Sequence, residues 1–128
     1  MITGTDFLVM HTNDFDTAVD FYENTLGLPL SARYGDMPGV EFETGNLTIA
    51  VMQSDAFGME YQTTTNPLAL RVDDVQAAKA ELEAKGVQFA PETIDSGVCH
   101  MAFFRDPDGN ALMLHHRYAP KDARPTGV

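Results

Sequence analysis

The sequence predicts an α+β fold: two βαβββ modules in one domain, with their strands forming a cup-shaped mixed sheet. Three observations carry this expectation. A strand–Asp–helix–Gly phrase occurs twice, and three strand-like stretches follow each helix. Each four-stranded sheet then has one helix, which covers one face only and leaves the other to line a shared concave site. At 128 residues the chain has the size of one domain with one core. The expected layout is module one over 1–53, a joining loop over 54–66, module two over 67–116 and a tail over 117–128.

The first strand is read over Thr5–Thr12 (TDFLVMHT). Asn13-Asp14 follow, then a helix whose apolar positions Phe15, Ala18, Val19, Tyr22 and Leu26 share one face. Asn13 is the expected cap, with Asp16 placed as in a capping box, and Gly27 is the expected left-handed stop. The second module repeats the phrase. Pro67–Val72 is its strand, Asp73-Asp74 its helix start, Val75, Ala78 and Leu82 its apolar stripe, Gln76 the counterpart of Asp16, and Gly86 its stop. Asp74 lies 60 residues after Asp14 and Gly86 lies 59 after Gly27, a duplication with one residue of slippage. The remaining strands are expected at Leu28–Tyr34, Val40–Thr44 and Asn46–Gln53, then at Val87–Pro91, Val98–Arg105 and Asn110–His116. The turns at Thr44–Asn46 and Asp106–Asn110 match each other, their backbone angles set by Gly and Pro. Asp106 and Asp108 lack the further spaced oxygens of a calcium loop, so that segment reads as a turn. In the polar joining loop, Phe57, Met59 and Tyr61 stand out as large side chains suited to closing a pocket.

Nineteen acids against eight bases give a formal charge of −11. Nucleic acid and anionic membranes are therefore disfavoured as partners, and neutral or cationic ligands favoured. No apolar run approaches the roughly 18 residues of a membrane span, and Met1 is not followed by a signal-peptide pattern, so a cytoplasmic location is expected. Cys99 is the one cysteine, which excludes a disulfide framework and a cysteine zinc cluster and reads as a small buried hydrophobe.

The phrases NDFDTAVDFYENTLGL, LRVDDVQAAKAELEAKGVQF and FFRDPDGNALML resemble the vicinal oxygen chelate superfamily. That superfamily holds glyoxalase I, extradiol dioxygenases, fosfomycin-modifying enzymes, methylmalonyl-CoA epimerase and bleomycin-binding resistance proteins. The resemblance spans the chain apart from the joining loop and the tail. It implies the cup-shaped fold and, in catalytic members, a divalent metal held from the first and last strand of each module by His, Gln or Glu. Those positions lie seven residues before the helix-capping Asp and four after the turn Gly. Here they are occupied by Phe7, Pro67, Ile49 and Met113, and a slip of one residue offers at most Asp6, Asn66 and Thr48. None of the four suits Mg, Mn, Fe or Zn, and the Met thioether is a soft ligand. No metal and no cofactor are expected.

Because side chains alternate along a strand, residues two apart from each of these positions share its face. The expected ligand-binding set is Phe7, Val9, His11, Ile49, Val51, Gln53, Pro67, Ala69, Arg71, Met113 and His115. The opposite parity (Leu8, Met10, Leu68, Leu70, Leu112, Leu114) is apolar and should pack beneath the helices. Arg71 suits a ligand carboxylate or phosphate, or a neighbour such as Glu41 or Glu43. His11 and His115 are candidate bases; as a pair they lack the third ligand a metal needs. No acid is expected at the centre of the cup.

The resemblance points to a bleomycin-resistance-like protein, a homodimer that sequesters an organic ligand or antibiotic. Its alternative is a glyoxalase- or dioxygenase-like lyase, isomerase or oxygenase with a divergent or absent metal site. Metal-independent chemistry would use His11 or His115 as base with Arg71 holding an anion. Whether the chain is an enzyme stays open at this stage.

Overall fold

Asp14 and Asp74 open the two helices. Each has non-helical backbone, and its carboxylate accepts from the N–H three residues on, Thr17 at 3.3 Å and Ala77 at 3.0 Å. Asn13 is therefore not the cap. It stands one residue too early, and its backbone N–H donates to Asp108 Oδ1 at 2.9 Å instead. Gly27 and Gly86 follow the helices in left-handed conformation, at φ 72° and 95°, as the stop signals require.

The computed structural model describes residues 1–121; of the expected tail, residues 122–128 lie outside them. In order, the elements are β1 (Phe7–Thr12), α1 (Phe15–Asp20) running into a π-helical turn (Phe21–Thr25), β2 (Leu30–Arg33), β3 (Gly39–Glu43), β4 (Thr48–Gln53) and a 3-10 turn (Ser54–Phe57). Then come β5 (Leu68–Arg71), α2 (Val75–Ala84), β6 (Ile94–Asp95), β7 (Cys99–Arg105) and β8 (Ala111–Arg117). The chain divides into two compact units. The first is Met1–Thr65 with Asp106–Ala111, and the second is Asn66–Arg105 with the described residues from Leu112 on.

In the first unit the strands lie in the order β1-β4-β3-β2, β1 parallel to β4 and the other pairs antiparallel. One face of this sheet carries Met10, Val40, Phe42, Ile49 and Val51, all buried. Against it lie Ala18, Phe21 and Tyr22 of the helical stretch, and the Tyr22 ring stacks on Phe42 with centroids 5.8 Å apart. Ala18 and Tyr22 belong to the stripe the helical period marks, whose Phe15, Val19 and Leu26 are half-buried, and Phe21 adds to it; the burial of this apolar surface is the main source of stability here.

The second unit repeats the layout as β5-β8-β7-β6. Val75 and Leu82 of α2 are buried, as are Ala102, Phe104, Leu112 and Leu114 of the sheet. One element departs from expectation. Residues 87–91 are not a strand: Phe89 makes a single bridge to Phe104, with ring centroids 4.9 Å apart, and pairing to β7 resumes at Ile94–Asp95. The Ala90 N–H still donates to the Phe103 carbonyl at 2.9 Å, but Pro91 has no N–H to give to a ladder and the pairing stops there. Cys99 is buried, with Arg117 Nη1 donating to its sulfur at 3.8 Å.

Candidate functional site

The register of the first sheet defines the face that the helix leaves open. Paired residues on neighbouring strands share a face. Across the sheet the open-face rows are Phe7–Thr48–Glu43, Val9–Ala50–Glu41–Ala32 and His11–Met52–Gly39. This corrects the expected site in one respect. Ile49 pairs with Leu8, Val51 with Met10 and Gln53 with Thr12, so these three lie on the helix side, and Ile49 and Val51 are fully buried. The turn between β3 and β4 is shorter than its counterpart at Asp106–Asn110, and counting from its glycine slips by one residue, which in a strand reverses the face. Thr48, Ala50 and Met52 take the places assigned to Ile49, Val51 and Gln53.

The same register brings two carboxylates onto the open face, Glu41 and Glu43, where none was expected. Their signal is present in the sequence: Val40 and Phe42 belong under the helix, so the residues alternating with them belong opposite. Glu43 accepts from the hydroxyls of Ser31 and of Thr48, the latter at 2.7 Å, and these donors hold its carboxyl below the usual range. Glu41 accepts from the Tyr34 hydroxyl. Burial first, and this hydrogen bond second, push the Tyr34 phenol up to about 12. The Tyr34 and Phe57 rings meet edge-on, 6.2 Å between centroids, above the backbone of Gly39. A Cβ on Gly39 would run into the Tyr34 ring and come within 2.9 Å of Phe57. Phe57 thus joins the site from the joining loop. Tyr61, also singled out there, instead donates to Asp108 Oδ1 at 3.0 Å.

His11 ends one row of this face. Its Nδ1 lies 2.8 Å from Ser54 Oγ, and Ser54 is fully buried at the start of the 3-10 turn. The backbone carbonyl of His11 accepts from Asn110 Nδ2 at 3.0 Å. Asn110 belongs to the D-P-D-G-N turn, whose Asp106 is the hub of a buried network. Asp106 Oδ1 accepts from the N–H of Asp108 and of Asn110, and Oδ2 from Asn110 Nδ2 and from the Tyr22 hydroxyl. Burial and the adjacent Asp106 raise the Tyr22 phenol far above its ordinary range. The turn therefore anchors β1 rather than binding an ion.

In the second unit Ala69 pairs with Met113 and Arg71 with His115, so these four share a face, while Leu68 with Leu112 and Leu70 with Leu114 share the other. Pro67 lies just before β5 and is exposed, as are Ala69 and Arg71; Met113 and His115 are half-buried. His116 points the other way and bonds to the Val72 carbonyl at 3.1 Å through Nδ1.

The Glyoxalase/Bleomycin resistance protein/Dioxygenase superfamily model matches residues 4–114, and the chain belongs to that superfamily. An uncharacterized protein, YraH of Bacillus subtilis (strain 168), is 29% identical over 115 residues, covering 80% of this chain and 90% of its own. A solved structure from the mobile metagenome of V. Pseudocholerae is 25% identical with a TM-score of 0.72, covering 94% of this chain and 98% of its own. A lactoylglutathione lyase from Agrobacterium tumefaciens has a TM-score of 0.71 at 17% identity, over 89% of this chain and 93% of its own, a likeness of fold alone.

The divalent metal of catalytic superfamily members does not fit the residues present. At the positions the resemblance assigns to its donors stand Phe7 and, by the corrected register, Thr48 or Ala50 in the first unit, and Pro67 and Met113 in the second. Among the described residues no three His, Cys, Asp or Glu side chains converge as a metal site would need. No helix among them is long and apolar enough to cross a membrane.

Proposed function

We propose that the protein binds and sequesters a small amphiphilic organic molecule in the manner of a bleomycin-resistance protein, without a metal, and works as a cytoplasmic homodimer. The observation that carries this reading is the make-up of the open face of the first sheet. Phe7, Val9 and Met52 form an apolar floor, with Ala50 buried beneath it, and Tyr34, Glu41, Glu43 and His11 stand around it. An apolar surface with a few fixed polar groups is the usual chemistry of a small-molecule site. Two carboxylates there, on a chain of net charge −11, favour a cationic group on the ligand. The second unit carries an exposed face of its own, on which Ala69 and Met113 are apolar and Arg71 and His115 polar. Thermal-shift screening of cationic antibiotics and metabolites tests this. Binders should raise Tm equally with and without added divalent metals. A rise seen only with metal contradicts it.

A second reading is metal-independent lyase or isomerase chemistry, with His11 as base. Its support is a ring held through Nδ1, whose Nε2 has no hydrogen-bond partner among the described residues. It requires that His11→Ala abolish turnover and leave affinity nearly intact.

A further inference from the structure

Among the described residues, His11 is the histidine held at both its ring and its backbone by side chains distant in sequence. Ser54, 43 residues on, contacts Nδ1, and Asn110, 99 residues on, donates to the carbonyl oxygen. Asn110 is itself fixed, because its Oδ1 accepts from the Thr64 N–H at 2.9 Å and its Nδ2 also donates to Asp106. The Ser54 hydroxyl is removed from solvent, and a buried hydroxyl is costly to leave unpaired. Its partner is the His11 ring. Ser54 also opens the 3-10 turn that carries Phe57 onto Tyr34, so one turn sets both the histidine and the aromatic pair of the open face. Ser54 Oγ itself is out of reach of any ligand, which excludes it as a nucleophile.

We infer that Ser54 is a positioning residue for His11: by engaging Nδ1 it holds the imidazole in one orientation. Nε2, which has no hydrogen-bond partner among the described residues, is then the ring atom offered to whatever occupies the open face. This rests on the proposed use of that face. Fixing the ring in advance removes one cost from binding, the entropy of ordering a rotamer. The same logic holds metal-bound and catalytic histidines in place through the nitrogen they do not use.

The test needs no ligand, so it fails or succeeds separately from the binding proposal. Three-bond couplings to the His11 β-protons and Overhauser contacts from its ring report the orientation of that side chain in the intact chain. His11 should show one χ1 rotamer, with ring contacts to Ser54, in the unmodified protein. Ser54→Ala should convert it to an average over rotamers, with the backbone amide spectrum otherwise retained, and Ser54→Thr, which keeps the hydroxyl, should restore the single rotamer. Should Ser54→Ala fail to fold, the unmodified protein alone decides, since rotamer averaging at His11 overturns the proposal. Unchanged His11 signals in a folded Ser54→Ala protein overturn it as well.

Discussion

The Tyr22 hydroxyl donates to Asp106 Oδ2 at 2.7 Å, joining the first helical stretch to a turn 84 residues further along the chain. Both groups are buried, and Asp106 takes three further hydrogen bonds from its own turn. A carboxylate out of water is tolerable only when it is this fully engaged. Tyr22→Phe removes one donor and keeps the ring stack on Phe42, so it should cost about 1–3 kcal/mol in denaturant unfolding. Asp106→Ala leaves Tyr22 and Asn110 both short of an acceptor and should cost more. Equal stability of all three proteins would show that the network is not needed.

The helix caps give a prediction that separates two adjacent residues. Asp14 caps with its side chain, whereas Asn13 contributes its backbone N–H. Asp14→Ala should lower stability by about 1 kcal/mol, and Asp74→Ala similarly for α2, while Asn13→Ala should be close to neutral. Thermal melts of the three variants check this, and a larger loss from Asn13→Ala would reverse the assignment.

At Gly39 the aromatic pair leaves no room for a side chain. Gly39→Ala should destabilise by about 1–3 kcal/mol, as overpacking does. It should also displace the Tyr34 ring, which a loss of the Tyr34–Phe57 contact in proton spectra would reveal. A neutral substitution with both rings unmoved would contradict the packing described.

Two groups on the open face make stability depend on pH in opposite senses. Glu43 titrates below its ordinary value when folded, so its contribution is present above the unfolded value and is lost as pH falls through the folded one. Tyr34 titrates above its ordinary value, so its contribution is full below pH 10.0 and is lost as pH rises toward about 12. Melts of Glu43→Gln should show a flatter acid limb, and those of Tyr34→Phe a flatter alkaline limb. Limbs that superimpose on those of the unmodified protein would contradict these couplings.

The fold was largely legible because its signals are local and repeated: the Asp starts, the Gly stops and the helical stripe through Ala18 and Tyr22 are each written within about a dozen residues. The second sheet's face was legible too, since Ala69, Arg71, Met113 and His115 alternate with a uniformly apolar set. The open face of the first sheet was half legible. Phe7, Val9 and His11 are on the open face, but the register of β4 hangs on the geometry of the turn at Gly45, which composition does not reveal. A slip of one residue there hid Thr48, Ala50 and Met52 and, with them, the acids Glu41 and Glu43. Ser54 and Tyr34 act through contacts across 43 and 7 residues, and no periodicity marks such pairs. Residues 87–91 carried strand propensity, but Pro91 ends their pairing with β7 after the bridge at Phe89.

Mapping a metal-free titration with a cationic amphiphile such as bleomycin by backbone amide shifts tests binding to the open face most directly. The predicted result is a saturable response at Val9, His11, Glu41, Ala50 and Met52, which Glu41→Gln weakens. Shifts confined to the helix side around Met10, Tyr22 and Phe42, or appearing only once a divalent metal is supplied, would contradict it.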